Sequence, residues 1–274
     1  MLGKLIKYDL KSTSRLLVLI HVFLVILSVL GRVFITGRIT FDTEEVDQFL
    51  LTLALLLYII LFAGASFATY IVIAVRFYKN LFSDEGYLTN TLPVRKSTLL
   101  FTKTLSGTIW ALIDILLISL CSYLLFAIPA ITDAIAPHWD EFLTLLGFEG
   151  RQDFTLFMVY LAVSAVIGAF SSVVMIEASV VLGQLFNGHK VLGAVVSYFV
   201  LTTILSVIST VVLSIQGVLN RSYLIQDPAY DVSGFDFASY IRDIINSSVC
   251  MCIVVTLILY LMSYFIMRKK INLS

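Results

Sequence analysis

Charge, proline, cysteine and histidine are all scarce in this chain, and each scarcity removes a class of answer. Only 13% of the residues are charged, against 59% hydrophobic. A water-soluble helical protein would interrupt its apolar segments with charge every few residues to furnish outward faces, so composition argues against a large soluble core. The three cysteines, Cys121, Cys250 and Cys252, lie inside apolar runs. That placement speaks for packing and against a disulfide framework or a cysteine metal site. The four prolines, Pro93, Pro129, Pro137 and Pro228, fall in loops or at helix ends, so no span carries the interruption that often marks a broken transporter helix. His21, His138 and His189 are too scattered for a metal-binding spacing, and there is no serine elbow. An intramembrane protease or acyltransferase would lack its catalytic set. No Gly-x-x-x-x-Gly-Lys-Ser/Thr phosphate loop occurs either, so ATP hydrolysis through that motif would have to come from another polypeptide.

What the chain does have is length of apolar run. Six runs, about 16–34, 49–75, 104–130, 154–185, 191–215 and 244–267, fill most of it, and mean hydropathy is +1.00. A bilayer core about 30 Å thick needs about 20 apolar helical residues. The expected fold is therefore all-α, a polytopic membrane protein of six transmembrane helices forming a single transmembrane domain over residues 1–274.

The sparse charge is sorted. Segments joined to the N-terminus by an even number of crossings hold Lys4, Lys7, Lys11, Arg15, Arg76, Lys79, Arg95, Lys96, Lys103, Lys190, Arg268, Lys269 and Lys270, 13 of the 18 basic residues. The opposite segments hold 13 of the 18 acids, among them Asp42, Glu44, Asp133, Asp140, Asp153 and Asp231. Lysine and arginine bias orients membrane proteins, so both termini are expected to be cytoplasmic. The net charge of zero hides two opposite faces and gives no reason to expect nucleic acid as a partner.

Lys4, Lys7, Lys11 and Arg15 recur at spacings of three and four beside Leu2, Leu5, Ile6 and Leu10. This predicts an amphipathic helix over 2–15 lying on the anionic inner leaflet, or a basic helical overhang of the first span. Small residues at four-residue spacing, Gly64 with Ala68 and Ser164, Gly168 with Ser172, predict close helix packing, within one chain in the first place and otherwise at a dimer interface. Serines and threonines crowd the fifth span and fit either a wet pathway or tight packing.

The long loop over 76–103 is the most informative soluble stretch. The second span is expected to run past the membrane through Arg76, Lys79 and Phe82, with Gly86 as a helix C-cap and Ser97 capping the next helix. Between them Pro93 enforces a bend that carries Tyr87, Leu88, Leu92 and Val94 outside the bilayer. Apolar side chains displayed there call for a partner surface or the protein's own helix ends. The segment Phe82-Ser-Asp-Glu-Gly-Tyr-Leu-Thr-Asn-Thr-Leu-Pro-Val94, followed by a basic residue and by Leu-Leu-Phe-Thr-Lys103, resembles permease subunits of bacterial type-2 ATP-binding-cassette (ABC) exporters. The resemblance is close in this loop and otherwise one of topology. It implies a coupling element within about 80–100 that docks on a cytoplasmic ATPase subunit, with Asp84, Glu85, Tyr87, Leu88, Leu92, Arg95 and Lys96 as contacts. It also implies two membrane subunits, identical or related, and ATP with Mg bound by the partner ATPase rather than by this chain.

Three ionisable residues interrupt the spans: His21, Asp114 and Glu177. A carboxylate at membrane depth costs on the order of 3 kcal/mol, so it should be protonated, paired or facing a polar cavity. The expectation is that the three line an internal cavity or meet between helices. An ion-coupled secondary transporter or channel working without an ATPase is the alternative reading of such residues.

Overall fold

The computed structural model describes residues 2–35, 45–83, 86, 94–186, 188–217 and 237–269. Among them every regular element is a helix, with no strand. Six helices are long and apolar enough to cross a membrane, which makes this a multi-pass membrane protein. They are α1 (Leu2–Ile35), α2 (Glu45–Phe82), α3 (Lys96–Phe126), α6 (Arg151–Gly183), α7 (Lys190–Ile215) and α8 (Phe237–Lys269). Two short helices, α4 (Pro129–Ile135) and α5 (Trp139–Leu145), flank a single 3-10 turn at Ala136–His138. Helix boundaries overrun the apolar runs because a backbone ladder, once nucleated, does not stop where hydropathy drops. The basic N-terminal segment is thus the first four turns of α1, continuous with the first span. The third helix starts at Lys96, so Ser97 is inside it. Arg95 stands at the N-cap in extended conformation without a side-chain cap bond, which corrects the Ser97 expectation. Its far end falls at Phe126, where the chain breaks before Pro129 starts α4.

Contacts divide the chain into two compact units, the first covering residues 1–137 and the second 138–272. In the first, α1 and α3 run parallel. The pairs Asp9–Lys103, His21–Asp114 and Arg32–Ala127 are separated by 94, 93 and 95 residues, a register that stays nearly constant along both helices. Helix α2 returns antiparallel, since Asn80 reaches Asp9, Arg76 reaches Ser12 and Tyr58 reaches Leu27. Arg32 in the last turn of α1 donates to the carbonyls of Leu124 and Ala127 at 2.5 and 2.7 Å. It thereby closes the C-terminus of α3, whose last carbonyls have no partner within their own helix. Leu24, Ala65 and Cys121, one from each helix, form the buried seam.

The second unit has the same internal plan. Helices α6 and α8 run parallel through Asp153–Arg242 and Tyr160–Asn246, 89 and 86 residues apart. Helix α7 turns back from the end of α6 and finishes with Gln216 bonded to Ser247 near the start of α8. Its threonines 202, 203 and 210 each donate to a carbonyl four residues earlier, at 2.8, 2.8 and 2.9 Å. Those hydroxyls are satisfied inside their own helix, so they require no wet pathway. On the short connection, Arg151 grips the Asp140 carboxylate at 2.7 and 3.2 Å. That hydrogen bond holds the Asp140 carboxyl below its ordinary range.

The small-residue expectation is corrected in place. A side-chain carbon on Gly64 or Gly168 would meet nothing within 4 Å, whereas one on Gly31 would strike Tyr58 and one on Gly183 would strike Ala194. Spacing identified smooth helix faces, but the close approaches within the chain fall at other glycines.

Candidate functional site

The first unit holds a polar knot in the middle of its three spanning helices. Asp114 of α3 is 2% exposed and accepts three hydrogen bonds. Ser66 Oγ donates to Oδ2 at 2.8 Å, Thr69 Oγ1 donates to Oδ1 at 3.1 Å, and His21 Nε2 lies 2.9 Å from Oδ1, a donor to the carboxylate in its Nε2–H tautomer. Thr69 and His21 are 0% and 5% exposed. Every lone pair used on the carboxylate is therefore met by a donor from a different helix or turn, which is the condition for keeping such a group among apolar side chains. Trp110, one turn before Asp114, stacks on the His21 ring with centroids 6.2 Å apart and planes inclined by 13°. The stacking fixes the imidazole plane that delivers Nε2 to the carboxylate. The buried Trp110 Nε1–H itself finds no acceptor among the described residues, at a cost of about 1–3 kcal/mol. Chemically the knot can hold one proton between α1 and α3 and can tie three helices at one depth.

A second knot forms twelve residues earlier on α1, at the end of the unit from which the connection after Phe82 leaves, shorter than the 76–103 loop expected because α2 and α3 extend into it. Asp9 binds Lys103 and Ser106 of α3, and Asn80 of α2 lies 3.4 Å from its Oδ1. Arg76 Nη2 donates to the Ser12 carbonyl at 2.8 Å. Asp9 and Lys103 side chains are each 11% exposed, so the ion pair is largely removed from water. Both shoulders of the loop are consequently fastened to the same turn of α1. Neither Asp9 nor this clamp emerged from the sequence. The available signal was a lone acid in a segment otherwise rich in lysine.

Of the expected coupling residues, Asp84, Glu85, Tyr87, Leu88 and Leu92 lie outside the described residues. Arg95 and Lys96 are exposed at the N-terminus of α3. Gly86 returns its amide to the Ser83 carbonyl at 2.7 Å, just past the end of α2. A side-chain carbon there would meet the Leu81 carbonyl at 2.5 Å, so this turn requires glycine.

Of the three intramembrane residues, the structure joins His21 to Asp114 and adds Ser66, Thr69 and Trp110, which sequence reading missed. Ser66 and Thr69 are one turn apart on α2, the only hint that they share a target. Glu177 belongs to the second unit, where it is 2% exposed beside Ala178, which packs with Val174 against Leu259 of α8. Among the described residues no group of three or more histidines, cysteines or carboxylates could hold a metal ion. Compared with protein-family models, with curated proteins and with solved structures, the chain matches none.

Proposed function

We propose that this chain is the membrane-spanning permease subunit of a bacterial type-2 ABC exporter. It would lie in the plasma membrane with both termini cytoplasmic and pair with a second permease subunit, the same chain or a homologue. A separate cytoplasmic ATPase binds ATP and Mg, and the substrate is a peptide, a lipid-like molecule or a drug-like molecule. The observation that carries this reading is the Asp9 clamp beneath the loop that resembles the exporter coupling element. A coupling element must pass force to the spans rather than flex alone. Here a pull on the loop reaches Asn80 and Lys103 and, through Asp9, α1 as well. About 18 Å further along, at 1.5 Å per residue, the same three helices are tied again by His21, Asp114, Ser66 and Thr69. Nucleotide-driven closure of the ATPases would then move α1, α2 and α3 as one body between alternative conformations of the pathway.

The test is purification from native membranes in mild detergent, with identification of what accompanies the chain. A stoichiometric protein bearing a phosphate loop is expected, and Leu88→Asp with Leu92→Asp is expected to lose it. Asp9→Asn is expected to retain that ATPase while uncoupling its hydrolysis from transport. Retention of no ATPase under several mild detergents would refute the exporter reading. The buried His21–Asp114 pair then favours the second reading, an ion-coupled transporter or channel.

A further inference from the structure

The second unit contains an open cleft of about 220 Å³ that neither the exporter reading nor the intramembrane knot uses. Asp153, Leu156, Phe157 and Tyr160 of α6 line it together with Arg242 and Asn246 of α8. Arg242 Nη2 donates to Asp153 Oδ1 at 2.6 Å, and the guanidinium carbon sits 5.9 Å from the Phe157 ring centroid. Ring face and carboxylate hold the arginine in place. The Arg242 side chain is 39% exposed beside an Asp153 that is 26% exposed, so part of the guanidinium faces the cleft. Tyr160 donates to Asn246 Oδ1 at 2.7 Å, which orients the amide and leaves its NH₂ as a further donor. The cleft thus offers a fixed dipole: cationic and amide donors on α8, a carboxylate acceptor on α6.

Depth identifies what meets this dipole. Helix α6 has 33 residues, about 50 Å at 1.5 Å per residue, against a hydrocarbon core of about 30 Å. Roughly 10 Å projects at each end, so Asp153 and Phe157 stand at the boundary between water and hydrocarbon. The rings of Trp139, Phe148 and Phe154 cluster beside them at centroid separations of 5.2 to 5.7 Å. Aromatic belts occupy that depth. Leu156, 62% exposed at the rim, offers an apolar continuation. The volume is below the roughly 300–1,000 Å³ of drug-sized pockets and suits a headgroup.

We propose that this cleft binds the headgroup of a zwitterionic glycerophospholipid, its phosphate on Arg242 and Asn246 and its ammonium on Asp153. A zwitterion laid antiparallel on a neutral ion pair satisfies both ends without breaking the pair, whereas an anionic headgroup leaves Asp153 facing negative charge. The site does not depend on the exporter reading.

The experiment titrates the purified full-length chain in detergent with phosphatidylethanolamine, phosphatidylglycerol and diacylglycerol of matched chains, reading bound lipid by native mass spectrometry. Phosphatidylethanolamine is expected to bind at least fivefold more tightly than phosphatidylglycerol, and diacylglycerol not at all over the same range. Asn246→Asp keeps an acceptor for Tyr160 but sets a carboxylate against the phosphate, and should weaken phosphatidylethanolamine binding about tenfold. Arg242→Gln should abolish it. Should Arg242→Gln fail to fold without the Asp153 partner, Asn246→Asp decides, since it leaves the ion pair whole. Unchanged binding in Asn246→Asp, or diacylglycerol binding equal to phosphatidylethanolamine, overturns the proposal. So does displacement of the lipid by an equal concentration of glycerophosphoethanolamine, which would make the ligand a soluble phosphodiester.

Discussion

Asp114→Ala is expected to weaken the packing of the first three helices by about 2 kcal/mol while making the third span easier to insert. Three hydrogen bonds end on this carboxylate, from His21, Ser66 and Thr69. Interhelical hydrogen bonds in membranes average about 0.6 kcal/mol and reach about 1.7, because separated helices also find partners. Three of them give about 2 kcal/mol. Insertion moves the other way, since a carboxylate in the middle of a span costs about 3 kcal/mol that alanine does not. The two effects separate experimentally. Unfolding of the purified chain by titration with a denaturing detergent reports packing, and the membrane-inserted fraction of an isolated α3 segment reports insertion. Asp114→Asn, which keeps an acceptor, should lose about half as much packing energy. A cycle combining Asp114→Ala with His21→Ala should show a coupling of about 1 kcal/mol, because the two groups touch. An unfolding midpoint unchanged by Asp114→Ala would show that the knot contributes nothing to assembly.

Gly183→Ala is expected to destabilise the second unit by about 1–3 kcal/mol, the usual range for forcing atoms into a filled space. The sign is what makes the prediction sharp. Helix propensity by itself favours alanine over glycine by up to about 1 kcal/mol. Gly183 ends α6, however, and a side-chain carbon there would lie 2.5 Å from the Ala194 amide nitrogen and 2.7 Å from its Cα. Those are backbone atoms of α7, which follows after a connection of only six residues, 184–189, so neither helix can yield without shifting the other. Gly31→Ala is the informative comparison. Its side-chain carbon would overlap the Tyr58 hydroxyl, but a tyrosine ring can swing aside, forfeiting only its 3.0 Å hydrogen bond to the Leu27 carbonyl. A cost of about 1 kcal/mol is expected. Thermal unfolding of the two variants in the same detergent should rank Gly183→Ala as the more damaging, and stabilisation by Gly183→Ala would mean the α6–α7 approach is looser than described.

These two predictions rest on information of different reach. That Asp114 and His21 needed partners was legible in the chain, because the cost of a polar group in an apolar run depends only on its immediate surroundings. That the two meet was one of two expectations the sequence left open, the other being a shared cavity, and Ser66, Thr69 and Trp110 were invisible as members of the knot. The glycines teach the same lesson from the apolar side. Gly64 and Gly168 have the spacing of packing residues yet meet nothing, while Gly31 lacks that spacing, Gly183 shares it with Ser179, and both sit at the close approaches. Asp9 reads locally as an acid among lysines; its role in clamping both shoulders of the loop exists only once α1 lies beside α2 and α3.

The sequence by itself determined the number of spanning helices, their helical nature and the charge sorting between them. Each is a sum over neighbouring residues, and a bilayer leaves helices almost no alternative for satisfying their backbones. The tertiary structure alone decided the division into two three-helix units, the parallel pairing of first and third helices in each, and the identity of every polar partner. Across the spanning helices those partners stand from 31 to 97 residues apart, and their register is set by how side chains on two separate helices interlock, a property that no short window of the chain contains.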